Sequence, residues 1–209
     1  MERKDAPDSR AALVQTMAQL LRGQGFAATG RAQLLAESGV SNGSLYHHFP
    51  GGMEELAEAA LGASGQAVAD ALRRVLDGAP SAGVGVCRFL DMARAATADG
   101  DCPGCPIAPT ALESSIISPR LRVVAAQCFK QWESLIAARL RADGWAEPSA
   151  LDAASAALAL VEGALLLVRV SRQLSHLANA KRAILLLLAD PQSSKTSKRS
   201  KAIKQRKRS

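Results

Sequence analysis

Apolar residues recur at intervals of three and four along almost the whole chain, and glycine or proline interrupts them at each break. That spacing lays an apolar stripe along a helix, and no segment shows the strict alternation of a half-buried strand. Ala and Leu, both strong helix formers, dominate, while aromatic residues make up only 3%. The expectation is an all-α fold of nine helices.

The first helix is expected from Ser9 to Arg22, with Leu13, Met17 and Leu20 on one face and Gly23 and Gly25 ending it. Arg31–Ser38 fits a short second helix with Thr29 placed as its cap, and Ser41 caps a third that runs to His48. Pro50-Gly51-Gly52 is a turn, after which apolar positions from Met53 to Val75 form a long fourth helix ending at Gly78. The fifth spans Ser81 to Ala98 and a short piece covers Ile107–Ser115, with a loop over Asp99–Pro106 between them. Ser118-Pro119 opens a helix to Asp143, Ser149 with Asp152 resembles a capping box for the next to Arg172, and the last covers Ser175–Ala189.

The net charge of +7 invites a nucleic-acid reading, but its placement qualifies that. Eight of the 26 Lys and Arg residues lie between Gln192 and Ser209, where there is no acid; the remaining 18 face 19 acids. A neutral body therefore carries a basic tail with no apolar pattern, expected to be disordered. No apolar stretch follows the N-terminus as a secretion signal would, and Glu162 and Arg169 break the run Ala153–Val170 short of a membrane span. A cytoplasmic, nucleoid-associated location without membrane contact is expected, and no residue set implies a cofactor.

Three short helices in the first 50 residues, with a tight Gly-containing turn between the second and third, fit a helix-turn-helix. The third reads Ser41-Asn42-Gly43-Ser44-Leu45-Tyr46-His47-His48-Phe49: Leu45 and Phe49 pack inward one turn apart, and the other side is polar enough to enter a major groove. The ordered run Gly25-Phe26, Thr29, Leu34, Ala36-Glu37, Gly39-Val40-Ser41 and Gly43 through Pro50 resembles the TetR family of regulators. Gly104-Cys105-Pro106-Ile107-Ala108, Ala111-Leu112-Glu113, Ser118-Pro119, Trp132 and Glu162 through Leu167 resemble its LmrA/YxaF-like branch.

The resemblance implies a homodimeric repressor that holds double-stranded operator DNA and releases it to a small-molecule effector, hydrophobic or aromatic, with efflux or oxidoreductase genes as targets. It implies no enzyme. Residues 8–65 would bind DNA, 66–191 would bind effector and dimerise through the last two helices (about 150–189), and 192–209 would be the tail. Thr29, Tyr46 and His48 match phosphate-contacting positions, and Asn42, Gly43, Ser44 and His47 match the base-reading face; Arg31 and Ser41 complete the DNA set. Met53 stands where the family usually has a phosphate-binding Lys, and Arg31 stands where an apolar residue is usual. Either the second helix is rotated or Arg31 reaches DNA.

For the effector, Phe89 and Met92 on the fifth helix and Phe129 and Trp132 on the seventh are candidate pocket residues, with Cys105 and Glu162. At helical spacing such residues also serve as plain core. A mid-helix Glu162 is costly unless paired, with Arg169 or Arg172, or unless it anchors a ligand. His47-His48 is a poor metal site, since adjacent helical residues diverge. Cys102-Pro-Gly-Cys105 is a lone CxxC whose alternative reading is a thiol-based redox sensor.

Overall fold

A computed structural model of the chain describes residues 9–95 and 104–189. Cys102 and the basic tail lie outside the described residues. Among those described there are nine helices and no strand: α1 Ser9–Gln24, α2 Arg31–Ser38, α3 Asn42–His48, α4 Gly52–Asp77, α5 Ala82–Ala95, α6 Ala108–Ile117, α7 Pro119–Ala142, α8 Glu147–Ser171 and α9 Ser175–Leu187.

Most boundaries fall where Gly, Pro and capping residues place them, and two caps do not. Gly30, not Thr29, precedes α2, and no side chain caps it; the Thr29 hydroxyl instead donates to the Gly25 carbonyl at 2.6 Å. Likewise α8 begins at Glu147 with Pro148 in its first turn, so Ser149 and Asp152 lie inside the helix. A fixed φ near −65° suits the first turn and outweighs the capping box.

Leu13, Met17 and Leu21 of α1 meet Leu34, Leu45, Phe49 and Leu56, all buried, and this small core sets the angle of α3. The turn between α2 and α3 closes at Gly39, whose φ of 67° is left-handed and whose N–H caps the Leu35 carbonyl. Arg10 lies over the Phe49 ring at 5.3 Å from its centroid.

The body is a bundle in which α7 runs between α4 and α8, and α9 covers α5 and α8. Where α4 crosses α7 the backbones come close, because Gly65 has no side chain. The Trp132 indole N–H donates to the Gly65 carbonyl at 3.0 Å, satisfying an otherwise buried donor. At the far end, Arg139 donates to the Leu76 carbonyl and, at 2.8 Å, to that of Ala79. Its partner Asp143 accepts the Ala82 N–H at 2.6 Å. One ion pair thus caps the end of α4 and the start of α5 together.

By length and composition α8 is apolar enough to cross a membrane; Glu162 and Arg169 do not lower its mean hydropathy of 1.9 enough to prevent that. Its packing accounts for the composition. Ala153, Ala157, Val161, Leu165 and Val168 are buried in the bundle, while Leu151, Leu166, Leu167 and Val170 remain exposed, as do Leu174, Leu185 and Leu186 near or on α9.

A Cβ at position 65 would stand 2.2 Å from the Cys128 sulfur. Gly65→Ala is therefore expected to lose about 1–3 kcal/mol to overpacking, outweighing its gain of about 1 kcal/mol in helix propensity. Adding Cys128→Ala removes the obstructing sulfur, so urea unfolding of the double variant should show less destabilisation than the two single variants summed.

Candidate nucleic-acid interface and buried cavity

Ser41 starts α3: its hydroxyl oxygen accepts the Ser44 N–H at 3.1 Å. Leu45 and Phe49 anchor the helix inward, which leaves Asn42, Gly43, Tyr46 and His47 exposed and Ser44 and His48 half-buried on the outer side. Arg31, the first residue of α2, is exposed and donates to the Tyr46 hydroxyl at 3.0 Å. The guanidinium thus joins the outer face of α3, and Leu34 holds the inward position of α2. Thr29 departs from the others, because its side chain is buried and its hydroxyl is spent within the loop. It fixes the approach to α2 rather than facing outward. His47 and His48 rings pack edge to face with centroids 5.0 Å apart, and no group of metal-binding side chains occurs among the described residues.

Cation density on this face is low. From 31 to 53 the sequence holds a single Lys or Arg, Arg31. Met53 is half-buried at the start of α4, and beside it the Gly51 N–H is taken by the Glu55 carboxylate at 2.7 Å. A phosphate brought to this face would meet mainly hydroxyls, amides and imidazoles.

Between α4, α5, α7 and α8 lies a cavity of about 200 Å³. Phe89, Met92, Cys105, Trp132 and Glu162 all line it, with Leu72 and Val86. Phe129 does not; it packs edge to face on Trp132, with centroids 5.3 Å apart, behind the wall. Among the described residues Glu162 is the sole carboxylate on an otherwise apolar lining whose other charged member is Arg22. Of the two arginines expected as its partner, Arg169 is engaged elsewhere. Arg169 donates to the carbonyls of Arg22 at 3.0 Å and Gly23 at 2.6 Å. Burial pushes the Glu162 carboxyl above its ordinary value, and a hydrogen bond with Cys105 only partly opposes this. The Cys105 thiol is itself pushed far up, first by burial and then by the charge of Glu162.

The joint between the helix-turn-helix and the body is held by polar clasps that the sequence did not disclose. The Glu113 carboxylate of α6 accepts the N–H groups of Phe26 and Ala27 at 2.9 and 3.0 Å. It fits because Gly25, at φ 79°, has no side chain; a Cβ there would lie 2.2 Å from its oxygen. Arg169 holds the end of α1. Ser118 donates to Glu54, and Arg120 makes a two-pronged pair with Glu58 at 2.8 and 2.7 Å, which ties α4 to the start of α7. Glu113 and Ser118 fall in stretches that resemble the branch, but partners 64 to 87 residues away leave no local signal.

Comparison with known proteins agrees on both parts. Residues 13–60 match the model of bacterial regulatory proteins of the tetR family, and residues 85–183 match that of the LmrA/YxaF-like transcriptional regulator C-terminal domain. The chain is 32% identical over 184 residues to the uncharacterized HTH-type transcriptional regulator YxaF of Bacillus subtilis, covering 88% of this chain and 92% of that one. Over 161 residues it is 32% identical to the HTH-type regulator LmrA of the same organism, covering 77% and 86%. Reduced Escherichia coli NemR shares the fold at TM-score 0.77 and 24% identity, over 88% of this chain and 99% of that one. A cysteine mutant of CifR bound to 26-bp operator DNA superposes at TM-score 0.72 and 25% identity, over 87% and 99%.

The buried Glu162 makes a testable mark on stability. A carboxyl whose folded pKa exceeds its unfolded one contributes stability below the ordinary value near 4.5, and that contribution is lost as pH rises through the folded value. Glu162→Gln has no such proton to lose. Denaturant midpoints from about pH 5 to pH 8 should therefore converge, then cross in favour of the Gln variant as pH rises.

Proposed function

The chain belongs to the TetR family of DNA-binding transcriptional regulators, with the C-terminal domain of its LmrA/YxaF-like branch, and from this premise we propose that it is a cytoplasmic repressor released from its operator by a small hydrophobic or aromatic effector. The observation that carries the reading is the mainly apolar cavity with its half-buried Glu162 carboxyl, walled on one side by α4, the helix that packs on α1. Efflux or oxidoreductase genes are its targets in this reading, as the branch resemblance implies.

The operator contacts fall to Asn42, Gly43, Ser44 and His47 at base edges, and to Arg31, Ser41, Tyr46 and His48 at phosphates; Thr29 acts through the loop it braces. Two copies pair through α8 and α9, whose exposed Leu166, Leu167, Val170, Leu185 and Leu186 support a shared four-helix interface. That pairing sets the two α3 helices about 34–36 Å apart, one turn of DNA. An effector wedged against α4 and α8 strains the clasps at Glu113, Arg169 and Arg120 and moves α3 off that spacing. DNA then weakens effector binding by the same factor, typically about 5–150-fold.

The thiol-switch alternative is not favoured. A redox-active cysteine needs an accessible thiolate, whereas Cys105 is buried and burial with Glu162 keeps its proton on.

A gel shift with DNA upstream of the chain's own or a neighbouring gene should give a band that unrelated DNA does not displace; equal displacement by any sequence overturns the repressor reading. In the same assay Met53→Lys should tighten binding and steepen the log–log salt dependence by about 0.9, the yield of one added phosphate contact.

A further inference from the structure

A second cavity, of about 250 Å³, abuts the first. Gly104, Cys105, Glu162 and Leu165 line both, so one short stretch of wall divides them. Ligand pockets run from about 300 Å³ upward, a size neither compartment reaches alone. The second compartment extends to Gly23, Leu112 and Arg169, the place where the body grips the end of α1. Glu162 therefore stands on the stretch of wall that the two compartments share.

The polar groups facing that carboxyl are few. Cys105 comes from the segment before α6, Arg22 from α1 at the first compartment, and Arg169 from α8 in the second, committed to two backbone carbonyls. The wall residues from α4, α5, α6 and α7, among them Leu72, Phe89, Leu112 and Trp132, carry no titratable group. Burial favours the protonated form of this half-buried carboxyl, and in that form it is a hydrogen-bond donor facing the cavity. In its hydrogen bond with Cys105 the thiol donates and the carboxylate accepts, so a proton on Glu162 is left for an oxygen brought in by a ligand.

We propose that the two compartments form one site for an elongated, uncharged, largely apolar molecule with an acceptor oxygen near its middle, to which the Glu162 carboxyl group donates. This rests on the reading of the cavity as the effector site and names the effector's chemistry. A ketone or related carbonyl between two apolar arms meets the requirement. A lipophilic cation would instead have to strip the proton from Glu162, and an anion would lose its hydration against an apolar wall.

The test uses the whole chain without DNA and three probes: prodan, a neutral naphthyl ketone; its long-acyl homologue laurdan; and dimethylaminonaphthalene, which lacks the ketone. Fluorescence titration should show saturable prodan binding about tenfold tighter than that of the ketone-free dye. Laurdan should compete with prodan for the same site. Glu162→Gln, which still donates, should hold prodan within about threefold, while Glu162→Leu should bind prodan and the ketone-free dye alike. Prodan affinity of the unaltered chain should fall as pH rises through the folded pKa of Glu162, and that of the Gln variant should stay level. No saturable prodan binding, equal affinity for the ketone-free dye in the unaltered chain, simultaneous binding of prodan and laurdan, or an unchanged ketone preference in Glu162→Leu overturns the proposal. Dye binding of the expected kind in a chain that fails the gel shift would sink the repressor reading and leave this site standing.

Discussion

One helix belongs to both halves of the molecule. α4 starts against the small core around Leu45 and Phe49, runs 26 residues, and ends under the Arg139–Asp143 cap in the body. At 1.5 Å per residue it spans about 39 Å without a break. Whatever displaces its body end must move its DNA end, because a helix transmits displacement better than it absorbs it. The close crossing at Gly65, with Trp132 bonded to its carbonyl, fixes where α7 bears on that lever. The clasps from Glu113, Arg120 and Arg169 then limit how far its near end can turn.

The helix-turn-helix was legible in the sequence because its determinants are local. Ser41, Gly39, Leu45 and Phe49 each act within a few residues, and the structure has all four where their types place them. The two misplaced caps, Thr29 and Ser149, show the limit of the same logic: each has a capping side chain, but a loop carbonyl claimed one and a proline pre-empted the other. The cavity was partly legible, since Phe89, Met92 and Trp132 sit on helices that must face each other. Phe129 shares α7 with Trp132 but is three residues away, enough to turn it off the wall. The clasps were not legible at all. A carboxylate meeting backbone N–H groups 87 residues earlier in the chain leaves nothing in either segment to show it.

The outer face of α3, proposed above to meet DNA, is poor in cations. A half-buried Met53 and a Glu55 that already occupies the Gly51 N–H leave Arg31 as the cation between residues 31 and 53. Affinity resting on hydroxyls and amides depends more on geometry than on charge, and geometry is what a shift of α4 alters. A face poor in cations is thus well matched to the proposed release by a change of spacing, because the face itself adds little charge attraction to hold a misaligned dimer on the duplex.

The fit of Glu113 against Gly25 also constrains how such regulators can be recombined. The glycine lies in the helix-turn-helix unit and the carboxylate in the body, and the carboxylate reaches the N–H groups beside that glycine at 2.9 and 3.0 Å. A DNA-binding head grafted from a relative with any side chain at position 25 would evict the carboxylate and leave two N–H groups bare. Chimeric regulators built on this body therefore need a head with glycine at that point, whatever operator the rest of the head reads. The seam between the modules is a lock with a matched key, and a swap that ignores it would uncouple the head from the body.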